Sequence, residues 1–98
     1  MYTIFYHKLV LKEDFKKLSK LEKKKIVKAI NNKLTKTPEL FGKALKGELK
    51  GYYRLRVDIH RVIYRINKGR VEVYIIKIGL RKDLKAYIQS AKRLGLIK

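Results

Sequence analysis

The sequence predicts an α+β fold: a small antiparallel sheet with a helical hairpin and a C-terminal helix, in the order β-α-α-β-β-β-α. Three observations predict it. Two stretches with helical apolar spacing fall together between residues 11 and 37. Three strand-like stretches then follow one another between residues 52 and 78, and a last helical stretch closes the chain. Strands segregated from helices in this way favour antiparallel pairing with the helices on one face of the sheet. No internal repeat, low-complexity tract or linker interrupts the chain, so residues 1–98 read as one domain.

Each element has its own local warrant. Tyr2 to His7 is β-branched and aromatic, a first strand. Leu11, Phe15 and Leu18 recur at helical spacing and mark the inner face of a short helix. Ser19-Lys-Leu-Glu22 has the form of a capping box, so a second helix begins there. Its apolar stripe runs through Ile26 or Val27, Ile30 and Leu34, and Thr37-Pro38 stops it. Residues 39 to 51, with Gly42, Gly47 and Gly51, read as a loop.

From Tyr52 to Asp58 the chain alternates, setting Tyr53, Leu55 and Val57 against Arg54, Arg56 and Asp58. From Arg61 to Ile66 it alternates again, with Val62, Tyr64 and Ile66 opposed to Arg61, Ile63 and Arg65. Asn67-Lys-Gly69 is a hairpin turn in which Gly69 is available for the left-handed position. Val71 to Ile78 is apolar on both faces apart from Glu72 and Lys77, as a central strand should be, and Gly79 ends it. Residues 82 to 94 form a last helix with Leu84, Ile88 and Ala91 turned inward.

Charge dominates the composition. Twenty-seven Lys and Arg against eight Asp and Glu give the 98 residues a net +19. Self-repulsion on this scale is relieved by a polyanion, and nucleic acid is the first candidate. All seven arginines fall between Arg54 and Arg93, whereas the first 53 residues carry lysine only. Arginine's planar fork suits phosphate, so the second half reads as the place where anions are gripped. With no cysteine, a disulfide scaffold, a thiolate metal site and a cysteine nucleophile are excluded together. No apolar run approaches the roughly 18 residues of a membrane span, and no secretory signal opens the chain. The expectation is a soluble cytoplasmic protein.

Strand alternation sets Arg54 and Arg56 on one side, where the next strand can place Arg61 and Arg65 beside them. Four guanidinium groups on one face repel one another unless an anion sits between them. An ordinary exposed sheet face is the plainer alternative, and sequence alone does not fix the strand register. His7 and His60 lack a third metal ligand at sensible spacing, so no metal site is expected, and no glycine-rich phosphate loop or Ser-His-Asp grouping is present. His60 is a weak candidate base, because strand parity sets it opposite to Arg61.

Leu45-Lys-Gly47, Tyr53-Arg-Leu-Arg-Val-Asp-Ile-His-Arg-Val-Ile-Tyr64, Val73-Tyr-Ile-Ile-Lys-Ile-Gly-Leu-Arg81 and Tyr87 together resemble the RelE branch of the RelE/ParE toxin superfamily. The resemblance spans nearly the whole chain and includes the element order. It implies a type II toxin that cleaves messenger RNA in the ribosomal A site, without a metal or other cofactor, by attack of the neighbouring 2′-hydroxyl. On this resemblance Arg54 and Arg56 stand where the family has its two basic strand residues. Arg61 would bind the scissile phosphate, Arg81 would steady the leaving oxygen, and Tyr87 would stack on or orient the nucleotide. Arg65, Lys77 and Lys82 would extend the RNA contact, and Lys20, Lys24 and Lys28 of the helical hairpin would hold ribosomal RNA. The partners implied are the ribosome, messenger RNA and an acidic RelB-like antitoxin.

The chain departs from the family pattern at two points. Arginine stands at both basic strand positions, where a lysine could lose a proton, and arginine effectively cannot. His60 stands where the family has tyrosine before the key arginine. Two other readings use the same composition: a ParE-like inhibitor of a topoisomerase without nuclease activity, and a non-catalytic basic RNA-binding protein.

Overall fold

The computed structural model describes residues 1–80 and 85–95, with Lys85 and Ala86 described by their backbone alone. The element order expected from the sequence is present, with a short helix and a short strand added in the middle. The β-branched and aromatic start forms β1 (Thr3–Tyr6). The segment after it is not an α-helix. A π turn over Val10–Asp14 passes into a 3-10 turn over Phe15–Lys17, and Phe15 N–H donates to Val10 O to close the wide turn. That extra residue per turn rotates the inner face. Val10 and Asp14 are buried, while Leu11, expected inside, is 52% exposed.

The capping box forms as read. Glu22 N–H donates to Ser19 Oγ at 3.1 Å, and Ser19 N–H donates to Glu22 Oε1 at 2.9 Å. The helix so started is α1 (Lys20–Lys33), and its Ile26, Ile30 and the following Leu34 enter the core. The expected loop holds α2 (Pro38–Phe41), opened by a proline at its first turn, and β2 (Lys43–Ala44). Beyond these lie β3 (Tyr52–Val57), β4 (His60–Asn67), β5 (Glu72–Leu80) and α3 (Lys85–Arg93).

The sheet has five strands in the order β1-β5-β4-β3-β2. The last four pair antiparallel as expected, but β1 joins β5 in parallel, so the sheet is mixed. The helical segments between β1 and the later strands make that crossover possible, because a parallel neighbour needs a long connection. Asp58, at φ 56°, turns β3 tightly into β4. At the β4–β5 turn the left-handed residue is Val71, at φ 55°, and not Gly69. Asn67 Oδ1 accepts from Arg70 N–H there, which holds the turn one residue wider than expected.

One face of the sheet carries the main core. Leu55, Val57, Val62, Tyr64, Val73, Ile75 and Ile78 pack there against α1 and Val10. The helices were expected on a single face, yet α3 crosses the other one, where Tyr87 meets Arg54 and Arg61. Its inward residues are Tyr87, Ser90 and Ala91, whereas Ile88 is half exposed and Leu84 lies outside the described residues. Ile63 and Ile76 are buried outside the main core, and Arg93 of α3 donates to the Ile76 carbonyl. Two layers of helix therefore sandwich the sheet.

Candidate active site

Strand register builds the site. β3 and β4 pair so that Arg56 stands directly across from Arg61, Arg54 across from Ile63, and Tyr52 across from Arg65. All four arginines thus share a face, as alternation allowed and register decided. Like charges directly opposite on a sheet repel, and the Arg56–Arg61 pair carries that cost on the face that α3 covers.

Tyr87 gathers two of these residues, Arg54 and Arg61, into one cluster. Arg54 Nη1 donates to Tyr87 Oη at 3.0 Å, and the Arg61 guanidinium lies 4.5 Å from the centre of the Tyr87 ring. A cation stacked on a tyrosine face is attracted by the ring's quadrupole, so the same tyrosine holds one arginine by its oxygen and another by its ring. Arg61 is only 6% exposed, whereas Arg56 stays open to solvent. Arg65 belongs to a separate group. Its guanidinium lies 4.7 Å over the Tyr74 ring, which in turn stacks on Phe5 of β1. Arg81 and Lys82 lie outside the described residues.

Lys77 was expected to contact RNA, and the structure corrects that expectation. It is 5% exposed, and its Nζ donates to Asp14 Oδ1 at 2.9 Å. Asp14, 63 residues away in the chain, is what takes it out of solvent, and no local pattern reveals that partner. β5 also carries an extra residue: Ile63 pairs with Lys77 but Tyr64 pairs with Ile75. The bulge at Ile76 turns Tyr74 and Lys77 onto the same face despite their odd spacing. Lys20, Lys24 and Lys28 stand exposed on α1, across the sheet from the arginine cluster.

Asp14 is the carboxylate that sequence reading overlooked. Beyond Tyr6 the edge of β5 runs past the end of β1, and Asp14 Oδ2 accepts the Ile78 N–H at 2.9 Å in place of a strand neighbour. Arg93 of α3 closes on the same carboxylate, with Nη1 to Oδ2 at 2.7 Å and Nη2 to Oδ1 at 2.8 Å, and Nη1 also donates to Ile76 O at 3.0 Å. Burial alone pushes the Asp14 carboxyl up, but Arg93, the Ile78 amide and Lys77 together hold it below the usual carboxylate range. This knot ties α3 to the sheet, and with it the position of Tyr87.

His60 faces the other way. Its Nε2 lies 3.7 Å from Glu22 Oε2 of α1, and it lines a cleft of about 420 Å³ with Asp14, Leu18 and Leu80. Among the described residues no group of three or more His, Asp or Glu side chains stands together. A second cleft, of about 310 Å³, is lined by Lys33, Phe41, Lys43, Arg54, Leu55 and Arg56. The first three of these were left in helix and loop by the sequence reading, although Phe41 next to Gly42-Lys43 is an aromatic beside a cation and could have been noticed.

Chemically, the cluster is a set of fixed cations around one phenol. Tyr87 Oη already accepts from Arg54, so its own O–H is free to point outward to an acceptor. Such a set can neutralise charge that develops on a phosphate and exchange a proton beside it.

The chain is similar to known toxins in both sequence and structure. Residues 2–85 match the family model described as ParE toxin of type II toxin-antitoxin system. The toxin-antitoxin complex RelBE2 from Mycobacterium tuberculosis contains a chain with a TM-score of 0.76 and 28% identity, aligned over 82% of this chain and 98% of that one. A mutant of the E. coli toxin RelE in the free state aligns at a TM-score of 0.72 and 23% identity, over 95% of this chain and 97% of that one. The archaeal RelE-RelB complex from Pyrococcus horikoshii OT3 gives a TM-score of 0.61 and 25% identity, over 83% and 96%. Among curated protein sequences none matches.

Proposed function

The chain belongs to the ParE toxin family of type II toxin-antitoxin systems, within the RelE/ParE superfamily and with a RelE-like fold, and from that premise we propose that it is an endoribonuclease that cleaves messenger RNA in the ribosomal A site. The observation that carries this reading is Tyr87 fixed between Arg54 and Arg61 on the face where Arg56 also stands. A domain that only had to fold would gain nothing by pairing Arg56 with Arg61 across two strands.

In this reading the RNA's own 2′-oxygen attacks the adjacent phosphorus. The bond to the 5′-oxygen breaks, leaving a 2′,3′-cyclic phosphate on one fragment and a 5′-hydroxyl on the other. Negative charge grows on the non-bridging oxygens; Arg56, open to solvent, offsets it by contact, and the buried Arg61 adds its field from behind the Tyr87 ring. The Tyr87 O–H, directed by the Arg54 hydrogen bond, donates to an oxygen of the reacting group, and its ring offers a stacking surface for an unpaired base. Both strand basics are arginines, which keep their protons, so positioning and electrostatics carry the rate and the 2′-proton passes to a group of the ribosome or to water. Arg81 is the residue to steady the leaving oxygen. Lys20, Lys24 and Lys28 hold the chain against ribosomal RNA from its opposite side.

A small acidic antitoxin is the expected partner, as RelB is for the RelE chains of the complexes named above. The charge of +19 gives an acidic, disordered peptide a strong electrostatic gain on folding around the toxin. Toeprinting of a translated message on ribosomes, with wild type, Arg61→Ala and Arg81→Ala, tests the proposal. A-site cuts that disappear in both variants support it. Intact message with every protein would overturn it.

One observation favours a second reading. The family model matched is that of ParE toxins, and a ParE-like inhibitor would poison a topoisomerase without cutting RNA. Inhibition of DNA supercoiling by wild type, with no A-site cuts, selects that reading.

A further inference from the structure

The cleft between the end of α1, the end of α2 and the strands β2 and β3 shares Arg54 and Arg56 with the chemistry above, whereas its Lys33, Phe41 and Lys43 have no part in it. Among the described residues its lining is Lys33, Phe41, Lys43, Arg54, Leu55 and Arg56, with no acidic side chain, and its volume of about 310 Å³ falls at the small end of ligand-sized clefts. β2 pairs with β3 so that Lys43 stands directly across from Arg54, a second like-charge pair on this sheet. Phe41 is 49% exposed, and the Lys33 ammonium stands 6.0 Å from the centre of its ring. The four cations repel one another, and the half-exposed Phe41 ring offers an open stacking face beside them. One ligand suits both features: a planar base carried on a phosphate.

We propose that this cleft is a subsite for a nucleotide of single-stranded RNA next to the cleaved bond, with its base stacked on Phe41 and its phosphate held by Lys43 and Arg56. The proposal rests on the reading of the chain as a nuclease, and it names a contact that reading does not contain. Continuity supports it. Arg54 lines the cleft and also donates to Tyr87 Oη, so a strand leaving the Tyr87 cluster along β3 enters the cleft directly. Duplex RNA has no base free to stack there, because its bases are paired and buried in the helix. The subsite therefore selects a single strand, and it selects any base, because every base has a stacking face.

Fluorescence anisotropy with a labelled, uncleavable 2′-O-methyl RNA strand tests the subsite on the full chain. Phe41→Ala is expected to weaken binding on the order of tenfold, the range of one lost base stack. The loss should vanish when the strand carries abasic sites throughout. Lys43→Ala should lower the slope of log K against log salt by about 0.7, one phosphate contact on a single strand. Lys68→Ala, at the far β4–β5 turn, is the control expected to leave the slope where it is. Unchanged binding in Phe41→Ala overturns the subsite, as does an equal loss on the abasic strand or on a poly-glutamate peptide. The two readings fail separately. A-site cuts by wild type with Phe41-independent binding would sink the subsite alone, whereas base-dependent binding through Phe41 without any cuts would sink the nuclease alone.

Discussion

Arg93 and Asp14, 79 residues apart in the chain, meet through two parallel hydrogen bonds of 2.7 and 2.8 Å, and this pair helps fasten the last helix to the sheet. Asp14 also takes the Lys77 ammonium and the Ile78 amide, so among the described residues its side chain is hydrogen-bonded to β5 and α3. A buried carboxylate with two cations is stable only while each partner is present. Asp14→Ala leaves Lys77 and Arg93 without their counter-ion, and it should cost about 3–5 kcal/mol. Urea unfolding monitored by circular dichroism measures the loss. A cost below 1 kcal/mol would show that the knot contributes little to the fold.

The same knot gives stability a pH dependence with a definite sign. The folded Asp14 carboxyl ionises below its ordinary value of 3.8, so its contribution is complete above that value and is lost as pH falls through the depressed folded value. Burial likewise lowers the His7 imidazole below its ordinary 6.5, helped by Arg93 and Lys8, and His7 Nδ1 accepts from Leu9 N–H in the neutral form. A lowered histidine also stabilises at high pH and loses that contribution on acidification. Denaturant midpoints taken from neutral pH downward should fall in two stages, the histidine stage first. His7→Gln should remove the earlier stage and leave the later one.

Tyr87→Phe removes the phenol but keeps the ring under Arg61. If Tyr87 donates to the reacting group, the A-site cleavage rate should fall by roughly 10² to 10³, the cost of one preorganised donor. Arg54→Ala should fall with it, and the double variant should be little worse than either, because Arg54 aims the phenol. Single-turnover kinetics on programmed ribosomes reads both. Full activity in Tyr87→Phe would assign the residue to stacking alone.

Gly42 is held by close approach. A Cβ there would stand 1.9 Å from Tyr64 Oη, and Tyr64 is fully buried, donating to Pro38 O at 2.6 Å. Burial also pushes the Tyr64 phenol far above its usual range, so it stays a donor at every pH the fold survives. Gly42→Ala should therefore cost about 1–3 kcal/mol through overpacking. Tyr64→Phe should cost a similar amount by leaving the Pro38 carbonyl buried and unpaired. Thermal unfolding of the two variants and their double mutant measures the coupling. In the double mutant the contact with Oη is gone but ring carbon Cζ, 2.7 Å from the new Cβ, still crowds it, so the two costs should add only in part.

Sequence by itself determined the faces. Period-two alternation assigned Arg54 and Arg56 to one side of β3, Arg61 and Arg65 to one side of β4, and the core residues to the other, because successive side chains of a strand point in opposite directions whatever the strand pairs with. The capping box at Ser19 was equally legible, since its two hydrogen bonds close within four residues. The tertiary structure decided what depends on partners distant in the chain. Register set Arg56 against Arg61 and left Arg65 apart with Tyr74, and no local signal fixes register. The carboxylate of Asp14 took Lys77 out of solvent, and a wide π turn swapped Leu11 for Val10 in the core. The crossing of α3 over the arginine face was decided the same way. It is held by Arg93 on Asp14, a bond between opposite ends of the chain that only the finished fold brings within reach.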